Sequence, residues 1–264
     1  EKFIKPFLPI LEKISPTRHH STAAHKTSLQ SVETDDASIL FRYLDGFFLY
    51  GFIMCWADSN LFPWFDPKIR DVSKRDYKWL NKVWNSTLHG SNNERIIGKL
   101  FSVSANIPRF IEEFPDAKLL YMLRDPLCVI PSGLSLVTGV LDKRFGFWSL
   151  PKNRRQNYID NLYKALVELQ IRFHDDWVNG RIDKDNVMIV RFDRMMSDFD
   201  GLMEDISRFI DYSPTSKLID EISLTAEKQR TFVSKHKYNL DKFGITEDQI
   251  RQDCKKIYLL LNGE

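Results

Sequence analysis

Cysteine is scarce: the 264 residues hold three, Cys55, Cys128 and Cys254. Three is too few for a disulfide framework, and they read as small buried hydrophobes. No His-x-His or Cys-x-x-Cys pairing occurs, so a tight metal-ligand pattern is missing. Also missing is any Gly-x-x-x-x-Gly-Lys-Ser/Thr run, which counts against an ATP or GTP P-loop enzyme. Charge of one sign is not in excess either. Lys plus Arg number 38 and Asp plus Glu 36, a formal net charge of +2. Nucleic acid is therefore not expected as a partner, and any anion site must be built from a few placed cations. The most apolar stretch, 39–57, is broken by Arg42 and Asp45, whereas a membrane-spanning helix wants about 20 nearly uncharged residues. It reads as buried, or as lining an apolar acceptor site. Repeats and low-complexity tracts are absent. The sequence opens at Glu1 with neither an initiator Met nor a basic-plus-apolar leader, and it is expected to be a fragment or a processed product.

What is present is an ordinary globular composition, with 43% hydrophobic and 28% charged residues. The length suits one large α/β domain able to bury a substantial core. Residues 1–93 are aromatic-rich and read as helices and loops. Tyr77, Trp79, Leu80, Val83 and Trp84 have the spacing of one amphipathic helix. Asn85-Ser86-Thr87 fits a glycosylation acceptor, a tripeptide common by chance and without meaning outside a secretory context.

After the polar break His89–Asn93 the pattern changes. Residues 95–99 (Arg-Ile-Ile-Gly-Lys) predict a short strand. Ile107, Phe110, Ile111 and Phe114 predict a helix, and Lys118 to Leu123 a continuous apolar strand. Strand, helix and strand in that order imply a parallel crossover. A long helix carries Ile159, Leu162, Leu166, Leu169, Phe173 and Trp177. Val187–Val190 predicts a third buried strand, and Leu202, Ile206, Phe209 and Ile210 a helix behind it. Thr246 with Gln249 forms a capping-box pattern opening a last helix through Ile250, Cys254 and Ile257. The expected fold class is α/β: a mainly parallel sheet flanked by helices, with ligands beyond the carboxyl ends of the strands.

The most informative run is Leu123-Arg124-Asp125-Pro126, continuing to Ser132 and Ser135. Arg124 closes a buried strand, Asp125 suits an N-cap and Pro126 the first helical position. The next helix therefore starts beside the guanidinium. Ser132 and Ser135 lie three apart on one face of it. An Arg fork, a hydroxyl and a helix N-terminus make a good phosphate clamp. Pairing of Arg124 with Asp125, or capping of a neighbouring helix, explains the Arg equally well, and the local sequence leaves both open.

The run from Phe114-Pro115-Asp116-Ala117-Lys118 through Arg124-Asp125-Pro126 to Ser132 resembles the 3′-phosphate-binding segment of sulfotransferases that use 3′-phosphoadenosine 5′-phosphosulfate (PAPS). Ile189-Val190-Arg191-Phe192-Asp193 is similar to a further strand of that family, with Phe192 standing for its Tyr. His236-Lys237-Tyr238 with Phe243-Gly244 resembles the C-terminal motif of the bacterial-type branch. Together these cover roughly 95–257. The resemblance implies a P-loop-like sulfotransferase fold in one domain, with 1–93 on the acceptor side and 94–264 as donor-binding core. It implies PAPS as co-substrate and no metal. Arg124 and Ser132 would hold the 3′-phosphate, with Ser135 and Lys235 as further contacts. Phe192 would pack near the nucleotide, and Lys99 would neutralise the transferred sulfuryl. A His that some members carry two residues after this Lys is Phe101 here. His25 and Glu33, in a His-rich and acidic stretch, are the candidates for the base that takes the acceptor's proton.

This sequence departs from the family by lacking its Gly-rich, Arg/Lys-Ser-Gly-Thr-type loop for the 5′-phosphosulfate, expected upstream of Glu1. The partners implied are a small-molecule, glycan or lipid acceptor, with peripheral membrane contact open through the apolar run from Phe47 to Trp56. Trp56, Phe62, Trp64 and Phe65 could equally stack on a sugar. A cytoplasmic or membrane-associated location would suit either acceptor. The competing functions are a kinase-like phosphotransferase and a non-catalytic nucleotide-binding relative.

Overall fold

The computed structural model describes residues 5–14, 34–52, 54, 62–64, 66–91, 93–232 and 239–263. Its first helices are α1 (Leu8–Ile14), α2 (Ala37–Tyr43), α3 (Phe47–Phe52), α4 (Ser73–His89) and α5 (Ile107–Glu113). Strand β1 (Leu119–Leu123) leads into α6 (Pro126–Phe145) and α7 (Lys152–Val178), and β2 (Val187–Arg191) follows. Then come α8 (Phe192–Ser197), α9 (Phe199–Phe209), α10 (Ser216–Arg230), α11 (Glu247–Asp253) and α12 (Lys255–Asn262).

The fold is α/β, with β1 and β2 pairing in parallel from Leu119↔Val187 to Leu123↔Arg191. Helices α6 and α7 form the crossover. The long helix α7 is the spine of the core: Ile159, Leu162, Leu166 and Leu169, spaced by three or four, face Ile130, Leu134 and Leu141 of α6. A second cluster joins Ile39, Tyr77, Leu80, Val103 and Phe110, seating α4 and α5 beside the sheet. Tyr121 of β1 stacks on Phe173 of α7, tying sheet to spine. Cys128 and Cys254 are free thiols. Cys254 is buried, which pushes its thiol up to about 12. Among the described residues no helix is long and apolar enough to cross a membrane.

Two expectations need correction. Residues 95–99 form no strand and lie outside the sheet. A strand needs a backbone partner, and this segment finds its partner in the loop before α2. Asp35 N–H donates to the Lys99 carbonyl (2.7 Å), and the Lys99 N–H donates to Asp35 Oδ2 (2.7 Å). Gly98 permits this approach, since an added Cβ would stand 3.1 Å from Trp84 and 3.2 Å from Asp35 Oδ2. Ile97 is left 95% exposed. The predicted last helix is also divided, at Cys254, into α11 and α12. The Thr246 hydroxyl does cap α11, accepting from Gln249 N–H at 3.1 Å.

One buried ion pair joins the spine to the N-terminal region. Arg172 of α7, 5% exposed, donates to Asp66 (2.7 Å) and also pairs with Glu168. Burial alone would raise the Asp66 carboxyl, but hydrogen bonds from Arg172 and the Lys68 amide outweigh it and hold the group below the usual range. Arg172→Ala strands a buried carboxylate and is expected to cost about 3–5 kcal/mol, measured by urea unfolding at pH 7. Because the folded carboxyl is the lower one, the wild-type stabilisation is present above about pH 4 and is lost as pH falls through the folded value. The difference between wild type and variant should therefore shrink on acidification.

Candidate functional site

The carboxyl end of the sheet is organised around Asp125. Its backbone (φ −50°, ψ 122°) is non-helical, and its Oδ1 accepts from the Leu127 N–H at 2.8 Å, so it caps α6. Pro126 follows at the first helical position, where a missing N–H costs nothing. The Tyr258 hydroxyl of α12 donates to the same Oδ1 at 2.8 Å, locking the last helix to the start of α6. Burial first, and the Asp125 carboxylate second, push the Tyr258 hydroxyl well above the ordinary phenol range. Asp125 is thus occupied by the cap and by Tyr258.

Arg124 does not pair with it. Its guanidinium lies over the Phe192 ring, 4.0 Å from the centroid. Register explains the meeting: Leu123 and Arg191 are the last partners of the two strands, and Arg124 and Phe192 come immediately after each. The contrast with Arg191 is informative. Arg191 is bound to Asp193 (2.7 Å) and donates to the Leu261 carbonyl, whereas Arg124 forms no ion pair or hydrogen bond among the described residues. Among the described residues its positive charge has no counter-ion, and it stands two residues before Pro126, the first residue of a 20-residue helix.

Ser132 and Ser135 lie half-buried on α6, on the stripe that also carries Cys128, and their hydroxyls make no hydrogen bond among the described residues. Ser132 stands seven residues beyond the cap, or about 10 Å along the helix axis. The structure therefore brings Arg124 and Phe192 together at the end of the sheet, while Ser132 and Ser135 stand farther along α6 and touch neither.

Lys99 is brought in differently. Its backbone is held by Asp35 as described above, and its exposed side chain has no carboxylate partner among the described residues. The next carboxylate, Asp36, is 1% exposed and grips the turn that follows. Its Oδ2 accepts from the Phe101 N–H (3.0 Å), the Ser102 N–H (2.6 Å) and the Ser102 hydroxyl (2.6 Å). This pair of aspartates is a positioning device that sequence reasoning missed. Just beyond Glu33, Asp35 and Asp36 fix the Lys99–Ser102 backbone. Contacts between positions 64 to 66 residues apart leave no local signature. His25, Glu33 and Lys235 lie outside the described residues, as does His236-Lys237-Tyr238. No group of three or more His, Cys, Asp or Glu among the described residues is placed to hold a metal ion.

Asp125→Ala removes the α6 cap and strands the Tyr258 hydroxyl. Its expected cost is about 1–2 kcal/mol in urea unfolding, with Tyr258→Phe reproducing the smaller part of it.

The chain matches the model of a group of proteins described as the sulfotransferase family over residues 68–216, more than half its length. The matched span contains Lys99, Arg124, Ser132, Ser135 and Phe192. Neither the curated proteins nor the solved structures contain a match. The span runs from the loop before α4, through both strands and the uncompensated arginine between them, to the start of α10, and the chain belongs to the sulfotransferase family.

Proposed function

We propose that the protein transfers a sulfuryl group from PAPS to an acceptor hydroxyl, or less readily an amine, releasing adenosine 3′,5′-bisphosphate. The observation that carries this reading is the unpaired Arg124 guanidinium at the carboxyl end of β1, beside the α6 N-terminus. A dianionic phosphate is the natural counter-charge for such a site. Arg124 and the Ser132 hydroxyl hold the donor's 3′-phosphate, with Ser135 and Lys235 as secondary contacts. Phe192 keeps the guanidinium in place through its ring and borders the nucleotide.

In the transfer step the acceptor oxygen attacks sulfur, and the bond from sulfur to the bridging 5′-phosphate oxygen breaks. Negative charge grows on that oxygen as it leaves. Lys99, anchored through its backbone with its ammonium free, supplies the opposing charge. The acceptor's proton passes to a base, for which His25 and Glu33 remain the candidates. PAPS itself carries the activated group, so protein cations suffice for the neutralisation.

Calorimetric titration tests the donor site. Adenosine 3′,5′-bisphosphate should bind well ahead of adenosine 5′-monophosphate, and Arg124→Ala should weaken the bisphosphate by about 10–100-fold, the worth of a charge-assisted contact. Equal affinity for the two nucleotides would end this reading, and strict dependence of activity on ATP with Mg²⁺ would replace it with phosphotransfer. Lys99→Ala should separate binding from chemistry: kcat falls by about 10²–10³ while bisphosphate affinity stays within twofold.

A further inference from the structure

A cleft open to solvent lies beside the turn that follows Lys99. Its walls come from three places: the start of α4, the Ser102–Asn106 turn, and the aromatic Phe47 and Trp64. Ser102 is three residues from Lys99, a path of at most about 11 Å of chain. The Asp36 carboxylate fixes that path by gripping the amides of Phe101 and Ser102. A group seated in the cleft is therefore held at a set distance from the backbone of Lys99, whose side chain carries the cation assigned to the transferred sulfuryl.

The polar atoms left free on the residues of this cleft are mostly acceptors. Asp71 uses Oδ1 to accept from the Ser73 amide and hydroxyl, leaving Oδ2. Asp76, 8% exposed, uses Oδ1 for Arg75 and leaves Oδ2. Asn106 spends one N–H of its side-chain amide on the Ser73 hydroxyl and its backbone carbonyl on the Tyr77 hydroxyl, leaving its side-chain oxygen and one N–H. Among the described residues these three oxygens have no partner. The one guanidinium in the wall, Arg70, is already committed to Asp45 and to the Pro63 carbonyl, and it lies over the Trp64 ring. The cleft thus offers acceptors without a free cation. It suits a ligand that presents several donors, it repels anions, and an alkyl chain there would strip water from two carboxylates with nothing in return. The half-buried Trp64 adds apolar surface for the C–H groups of a sugar ring.

We infer that this cleft is the acceptor site and that the acceptor is a neutral polyhydroxylated molecule of the carbohydrate class, held by hydroxyl donation to Asp71, Asp76 and Asn106. The inference rests on the proposed sulfuryl transfer for its catalytic meaning, but binding can be read without it. The test is saturation-transfer NMR and titration of the whole protein with a panel of neutral mono- and disaccharides, set against glucuronate and 1-dodecanol. At least one neutral sugar should bind, with glucuronate tenfold or more weaker and dodecanol silent. Asp76→Asn turns an acceptor into a donor and should weaken the sugar about tenfold, with bisphosphate affinity unchanged. Asp71→Asn serves as the second variant should the first fail to fold. Failure of the entire sugar panel, preference for dodecanol, or full sugar affinity in both variants overturns the inference. Sugar binding without any bisphosphate binding would instead sink the PAPS reading and leave the cleft assignment standing.

Discussion

Five parallel residue pairs between β1 and β2 set the position of nearly everything else at the site. A two-stranded sheet is marginal on its own, so this one survives by being clasped. Tyr121 stacks on Phe173 of α7, and Val187 of β2 is buried in one cluster with Phe173 and with Ile107 of α5. Slipping the register by one residue would reverse which side chains meet these helices, so packing and register enforce one another. With register fixed, Leu123 opposes Arg191. The following residue of each strand, Arg124 and Phe192, must then meet where the backbone leaves the sheet.

That meeting explains how a cation persists without a counter-ion. Most arginines of the molecule are committed: Arg70 and Arg75 to Asp45, Arg172 to Asp66, Arg181 to Asp176, Arg194 to Asp205. The nearest carboxylate in sequence to Arg124 is Asp125, which is engaged by the α6 cap and by Tyr258. A cation–π contact holds the guanidinium without cancelling its charge. The fold thus orders Arg124 while no described residue neutralises its charge. An ion pair would have achieved the first and forfeited the second.

Much of this was legible in the sequence, because it depends on neighbours in the chain. The three- and four-residue spacings that predict α4, α5, α7 and α9 are the spacings of their buried faces. The Asp125-Pro126 cap is a two-residue signal, and it is found as predicted. The apolar runs 119–123 and 187–190 are strands because each has the other as partner. Residues 95–99 have similar character and form no strand, since propensity cannot reveal that their hydrogen bonds go to Asp35. The same limit hid the roles of Asp35 and Asp36, and it hid the cleft. Asp71, Ser73 and Asp76 meet Ser102 and Asn106 only after folding.

In the proposed sulfuryl transfer, Lys99 shows why anchoring by backbone matters to a charge assigned to act on a substrate. A lysine held through its side chain would have its ammonium partly neutralised by whatever held it. Here the carboxylates of Asp35 and Asp36 take amide N–H groups of residues 99, 101 and 102, and the Ser102 hydroxyl. Negative charge is thereby used to fix the chain, while the ammonium beyond it stays free among the described residues. The same grip sets the wall of the cleft, because Ser102 belongs to both. One acidic dipeptide therefore fixes the spacing between a cation and a pocket, and a transfer reaction between two bound partners depends on that spacing being held before either arrives.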